Sequence, residues 1–186
     1  KLELAMLDPQ EAAPMLRDVD EMQALLDAFL DFSRGAAVSE PEQVDPRAFI
    51  REITDKWQRQ EQRVTLGEIT GSGVVMLRHQ AMRRAVENLI SNAVRYGTQA
   101  RVSLALTERS MRIRVEDDGP GIPADQRGDA IRPFTRLDPA RNQNRGTGVG
   151  LGLAIVADTA RAHGGILRLG ESADLGGLKA DIVIAR

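Results

Sequence analysis

Apolar residues recur along this chain with two periods, and the change from one to the other marks its parts. Across residues 11–34 the positions Met15, Val19, Met22, Leu26 and Phe29 are spaced 4, 3, 4 and 3 apart. That is a helical seam with a 3.5-residue period, which Leu16, Leu25 and Leu30 widen into a bundle face. Residues 1–7 read as the last turns of a preceding helix, broken at Asp8-Pro9 because a residue before proline avoids the αR region. The stripe must pack on something. Its candidates are residues 1–7 and another chain, as a helical hairpin pairing into a four-helix bundle. Gly35 is placed to end the helix, and 35–45 reads as a linker.

From Asp45-Pro46, an N-cap followed by proline at the first helical position, the pattern predicts a helix over roughly 46–60 with Phe49, Ile50, Ile53 and Trp57 on one face. Short strands follow near 63–69 and 73–77. A helix over 78–95 buries Met82, Ala85, Val86, Leu89, Ile90 and Ala93. Strict alternation then predicts strands at 99–107 (Val102, Leu104, Leu106) and 110–117 (Met111, Ile113, Val115). Residues 123–146 lack periodicity and are rich in Arg, Asp, Asn and Gln. A loop of that length is usually functional, and its place between two glycine motifs predicts a lid over a ligand. A helix from just after Gly148 to about His163 and strands near 165–171 and 178–184 complete the chain, with Gly176-Gly177 at the last turn.

Composition narrows the classes. A chain of 186 residues accommodates one ordinary domain and a small accessory element. The net charge of −2 does not favour a nucleic-acid surface. With no cysteine, disulfides, thiolate metal sites and cysteine nucleophiles are excluded. The two histidines, His79 and His163, are too far apart in sequence to suggest zinc. No apolar run approaches the roughly 18–20 residues that span a bilayer. The start at a lysine in mid-pattern reads as a fragment of something longer.

Two constellations carry candidate chemistry. In Arg145-Gly146-Thr147-Gly148-Val149-Gly150-Leu151-Gly152-Leu153, four glycines alternate with other residues just before a helical pattern. Glycine allows close backbone approach, and a helix N-terminus presents unpaired N–H groups and a positive dipole end. Together they suit a polyphosphate, although such turns also close ordinary strand–helix junctions. Asn88 and Asn92 share a helical face. They serve surface polarity, a buried side-chain hydrogen bond, or two amide oxygens aimed at Mg²⁺ or its waters.

In series, these motifs resemble those of sensor histidine kinases. Asn88-Leu89-Ile90-Ser91-Asn92-Ala93-Val94-Arg95-Tyr96 resembles the N box, and Asp117-Asp118-Gly119-Pro120-Gly121 the G1 box. Pro133-Phe134-Thr135-Arg136 resembles the F box, residues 146–153 the G2 box, and Gly176-Gly177 the small G3 element. Order and spacing agree across 46–186, and the wording is most similar to the EnvZ-like osmosensor kinases. The resemblance implies an α/β fold, a two-layer sandwich of the Bergerat ATP-binding type over 46–186. Ahead of it would lie part of the dimerisation and phosphotransfer hairpin (1–34) and a linker (35–45).

The implied cofactors are ATP and Mg²⁺. Asp117 would accept from the adenine amine, which sets adenine apart from guanine, with Gly119, Gly121 and Ile122 passing close to the base. Asn88 and Asn92 would lie at the Mg²⁺–triphosphate, Asn92 as the more direct ligand. Arg95 would reach phosphate and act with Asn92 in catalysis, and Tyr96 would pack on the nucleoside. Gly146, Thr147, Gly148, Val149, Gly150 and Leu151 would hold the phosphates, and Phe134 and Arg136 would shape the lid. The implied partners are a second copy, through the N-terminal helices, and a response-regulator receiver domain. The implied place is the cytoplasmic portion of a bacterial inner-membrane protein, with membrane contact only through segments outside this chain. One departure stands out: no H box with its phospho-accepting histidine occurs, and the family pattern would place it about ten residues before Lys1. The resemblance therefore implies ATP binding without self-phosphorylation at the usual site.

Overall fold

The computed structural model describes residues 15, 16, 19, 22, 23 and 26, then 40–60, 62–135 and 150–186. The six early residues are helical, and Met15, Met22 and Leu26 of the expected seam are exposed. Val19 is half-buried, and Phe29 lies outside the described residues.

Eleven elements follow among the described residues: β1 (Glu42–Val44), α1 (Pro46–Arg59), β2 (Val64–Thr70), β3 (Val75–Leu77), α2 (His79–Tyr96), β4 (Ala100–Leu106), β5 (Ser110–Asp117), α3 (Arg127–Ala130), α4 (Gly152–Ala162), β6 (Ile166–Glu171) and β7 (Leu178–Ala185). Five strands form one mixed sheet in the order β2-β4-β5-β7-β6, parallel only between β2 and β4. The remaining two, β1 and β3, pair as a separate antiparallel ribbon. The linker expected at 35–45 therefore ends in a strand. Its three residues carry too little pattern to be read alone, and Val44 is buried once β3 lies opposite.

The alternation read from the sequence decides which face of the sheet is covered. Val102, Leu104, Met111, Ile113, Val115, Ile182 and Ile184 point inward and are buried beneath α1, α2 and α4. Each such side chain contributes about 2 kcal/mol by leaving water. The opposite face carries Arg101, Arg114, Glu116, Lys179 and Asp181 at alternate positions, tied by pairs such as Arg114 to Asp181 at 2.7 Å.

Local chemistry sets the helix ends. Asp45 accepts from the Arg47 amide at 2.9 Å and starts α1 ahead of Pro46. The start of α2 has no side-chain cap from its own N-cap residue, Arg78. Instead the Arg78 amide donates to His163 Nε2 at 3.0 Å, while His163 Nδ1 lies 2.7 Å from the Thr159 carbonyl at the far end of α4. His79 stacks edge-on against Phe49, with ring centroids 5.1 Å apart. Both histidines are thus tied into the fold.

Candidate nucleotide site

The end of the sandwich where β5 stops gathers most of the residues singled out from the sequence. Asp117 is the last residue of β5 and is 5% exposed. Both of its accepted side-chain bonds go to Oδ1, from the Gly119 amide at 2.9 Å and the Leu178 amide at 3.0 Å. Its own carbonyl accepts from Gly177 at 3.0 Å. Burial pushes the Asp117 carboxyl above the usual carboxylate range, opposed by the Leu178 and Gly119 amides, while the neighbouring Asp118 charge adds to the rise. Among the described residues no hydrogen bond goes to Oδ2, which is left as an acceptor.

Gly119 passes close to the end of α2: a Cβ on it would lie 3.0 Å from the Tyr96 carbonyl. Gly121 lies opposite Gly177, and Ile122 fixes the loop by accepting from Arg127 Nε at 3.0 Å. At the C-terminal half of α2, the Arg95 guanidinium stacks over the half-exposed Tyr96 ring at 5.6 Å. Asn92 reaches the start of α4, its Nδ2 lying 3.4 Å from where a Cβ on Gly152 would stand. One turn earlier, Asn88 Nδ2 is buried with no hydrogen-bond partner among the described residues. An orphaned buried amide costs about 1–3 kcal/mol, which suits a side chain that completes its bonding with a ligand.

The F and G2 motifs meet. Phe134 takes a left-handed conformation (φ 62°) and its amide donates to the Gly150 carbonyl at 3.0 Å. Gly150 itself has φ 74°, and a Cβ there would lie 2.8 Å from the Thr135 carbonyl, so only glycine closes this contact without displacement. Phe134 is 56% exposed. Leu151 is buried at the start of α4. Of the other assigned residues, Arg136, Gly146, Thr147, Gly148 and Val149 lie outside the described residues.

Several groups that build this site carried no role in the sequence. Asp118 accepts from the amides of Thr98 and Gln99, at 2.6 and 3.0 Å, and from the Thr98 hydroxyl. The Thr98 hydroxyl, with the two amides, holds the Asp118 carboxyl down at about 2. Glu116, buried on the outer face, accepts from the Ser172 hydroxyl at 2.9 Å and pairs with Arg101 at 3.3 Å. No sequence pattern links residue 98 to 118 or 116 to 172, because the pairings come from strand register and turn placement.

The chain belongs to the family described as the histidine kinase-, DNA gyrase B- and HSP90-like ATPases, whose profile matches residues 78–184. It is similar to the sensor protein RstB of Escherichia coli, 32% identical over 184 residues, covering 93% of this chain and 41% of RstB. The NMR structure of the histidine kinase domain of the E. coli osmosensor EnvZ matches with a TM-score of 0.60 and 35% identity, covering 78% of this chain and 89% of that one. The ATP-binding domain of PrrB from Mycobacterium tuberculosis shares the fold, with a TM-score of 0.64 at 24% identity over 79% of this chain and 98% of that one. The expected Bergerat sandwich is thus borne out. The chain spans about two-fifths of the length of RstB. No described helix is long and apolar enough to cross a membrane.

Proposed function

We propose that this chain is the catalytic, ATP-binding part of a two-component sensor histidine kinase. The whole protein transfers the γ-phosphoryl of ATP to a histidine and passes it to an aspartate of a response-regulator receiver domain. The observation that carries the reading is Asp117, with Oδ1 taken by two backbone amides and Oδ2 left to accept from an exocyclic amine. Similarity to RstB and to the EnvZ kinase domain supports it.

Asn88, Asn92, Arg95 and the backbone around Gly150 and Leu151 would hold the triphosphate with its Mg²⁺, and Tyr96 the nucleoside. Arg136, Gly146, Thr147, Gly148 and Val149 belong to the same proposal. Among the described residues no group of three or more His, Cys, Asp or Glu could hold a metal. That suits an ion carried by phosphates and a few amide oxygens. When bound, the ion neutralises charge on the phosphoryl group being transferred. Arg95 and the amides add fixed positive potential there. In this reading neither histidine of the chain would be the acceptor, a role that the edge contact of His79 with Phe49 and the backbone contacts of both His163 ring nitrogens do not favour. Met15, Met22 and Leu26 belong to the seam through which two copies would pair, in the cytoplasmic part of an inner-membrane receptor.

The test is calorimetric titration with a non-hydrolysable ATP analogue, with and without Mg²⁺, on the chain and on Asp117→Asn. The expected result is saturable binding that strengthens with Mg²⁺ and disappears in the variant. A folded chain that does not bind, or a variant that binds equally well, overturns the proposal.

A further inference from the structure

Acceptance from the adenine amine sets adenine apart from guanine only while a single oxygen of the carboxylate is open. One oxygen accepts from the adenine amine, but two free oxygens also match the N1–H and 2-amino donors of guanine. Selectivity therefore depends on keeping one oxygen of Asp117 occupied and its plane fixed. The donors that do this, the Gly119 and Leu178 amides, belong to two backbone segments. Each segment is pinned by an acidic neighbour of Asp117.

On one side is the β6–β7 turn. Ser172 is 1% exposed and its hydroxyl donates to Glu116 Oε1 at 2.9 Å while accepting from the Leu175 amide at 3.1 Å. The turn closes through Ser172 N–H to the Gly177 carbonyl at 2.8 Å. Arg101 binds Glu116 Oε2 and, at 2.6 Å, Asp174 within the same turn. On the other side, Asp118 grips Thr98 and Gln99, the corner between α2 and β4, and so fixes the start of the Gly119 loop against the helix that carries Asn88 and Asn92.

We propose that the Ser172–Glu116–Arg101 chain and the Asp118 carboxylate are specificity-determining positioning groups, holding Asp117 with a single open oxygen so that the site prefers adenine over guanine nucleotides. Three consecutive acidic residues then divide the work: Asp117 meets the base, and Glu116 and Asp118 anchor the walls on either side. The inference rests on the adenine-nucleotide reading above and adds what sets its selectivity.

The experiment measures affinities for the β,γ-imido analogues of ATP and GTP, with Mg²⁺, on the unaltered chain, Asp117→Asn, Ser172→Ala, Asp118→Ala and Asp118→Asn. An asparagine at 118 can still accept from both amides through one oxygen, so it is the conservative variant. The expected unaltered preference for the ATP analogue is on the order of 100-fold. Ser172→Ala and Asp118→Ala should each lower that ratio at least about fivefold, with the GTP analogue losing less than the ATP analogue. Asp118→Asn should restore it. Should Asp118→Ala not fold, Ser172→Ala, which removes one hydroxyl, decides alone. If both alanine variants keep the ratio, even with uniformly weaker binding or lower melting temperatures, the inference is overturned while loss of binding in Asp117→Asn leaves the nucleotide reading standing. If the unaltered chain binds neither analogue, both fall.

Discussion

Replacing Gly177 by alanine should damage the nucleotide site more than any other single-methyl change near it. A Cβ at 177 would lie 2.4 Å from both the Asp117 carbonyl oxygen and Oδ1, and 2.5 Å from the Gly119 nitrogen. A carbon next to oxygen needs about 3.3 Å, so the turn and the β5 end must part by roughly 0.9 Å. Two of these three atoms are backbone, and the third, Oδ1, is held by the Gly119 and Leu178 amides, so none gives way freely. Two bonds cross that gap, from Gly177 N–H to the Asp117 carbonyl and from Leu178 N–H to Oδ1, each 3.0 Å long. Stretched by that amount, neither remains a hydrogen bond. One is neutral, worth about 1 kcal/mol, and one goes to a charge, worth about 2 kcal/mol. The stability loss should then be about 3 kcal/mol. Asp117, released, would lose its aim at the base, weakening ATP-analogue binding by roughly 10- to 100-fold. Urea denaturation and calorimetric titration measure the two effects. Gly176→Ala is the control: it meets open space but has φ 84°, so it carries only about 1–2 kcal/mol of backbone strain and should keep its affinity. Unchanged stability and affinity in Gly177→Ala would refute the close-approach argument.

Asp117→Asn should abolish ATP-analogue binding yet leave the ligand-free chain at least as stable at pH 7. The folded-state pKa of Asp117 is raised, so the folded chain binds the proton more tightly and its stability falls as pH rises through that window. Above it the full cost of the buried charge is present, and the amide removes it; a clear drop in melting temperature at pH 7 would contradict this. Asp118 runs the other way. Its pKa is lowered to about 2, so it contributes stability above the ordinary carboxylate pKa that disappears as pH falls toward 2. Thermal melts should show Asp118→Ala less stable than the unaltered chain at pH 7 and the gap closing near pH 2. Asn88→Leu removes the orphaned amide nitrogen and should stabilise the ligand-free chain by about 1 kcal/mol in urea while weakening Mg²⁺-dependent nucleotide binding. A destabilised ligand-free variant would show that the amide is satisfied after all.

Much of the fold could be read in advance because most of its elements are long and one-sided. The 3.6-residue stripe of α2 and the alternation of β4 and β5 each encode a buried face, and each was placed within a residue or so. β1 is different: with three residues and one buried side chain it has too little pattern to announce itself, and only β3 opposite makes it a strand. In the candidate site, the glycine runs stood out by their spacing, whereas Asp117 took its expected role only from the resemblance to sensor histidine kinases. Asp118 carried no such role. Its value lies in facing Thr98, twenty positions earlier, across a corner that no periodicity describes. Glu116 reads as one more outward charge on a strand until the β6–β7 turn brings Ser172 onto it.

That difference follows from where polar bonding capacity is spent. Glu116, Asp118 and the Oδ1 of Asp117 have theirs filled by this chain's own amides, hydroxyls and guanidinium, and the result is rigidity around one point. At the same end, Asn88 Nδ2 and the Oδ2 of Asp117 have no hydrogen-bond partner among the described residues, although burial disfavours both an open amide and a charged carboxyl there. Were the arrangement built only for stability, the cheaper solution would be apolar at 88 and neutral at 117. A chain that saturates the groups on either side of Asp117 yet leaves these two open is stabilised by a ligand that supplies a donor to one and an acceptor to the other. In the function proposed above, a Mg²⁺-bound adenine nucleotide would do both, with its exocyclic amine at one end and its phosphate oxygens at the other.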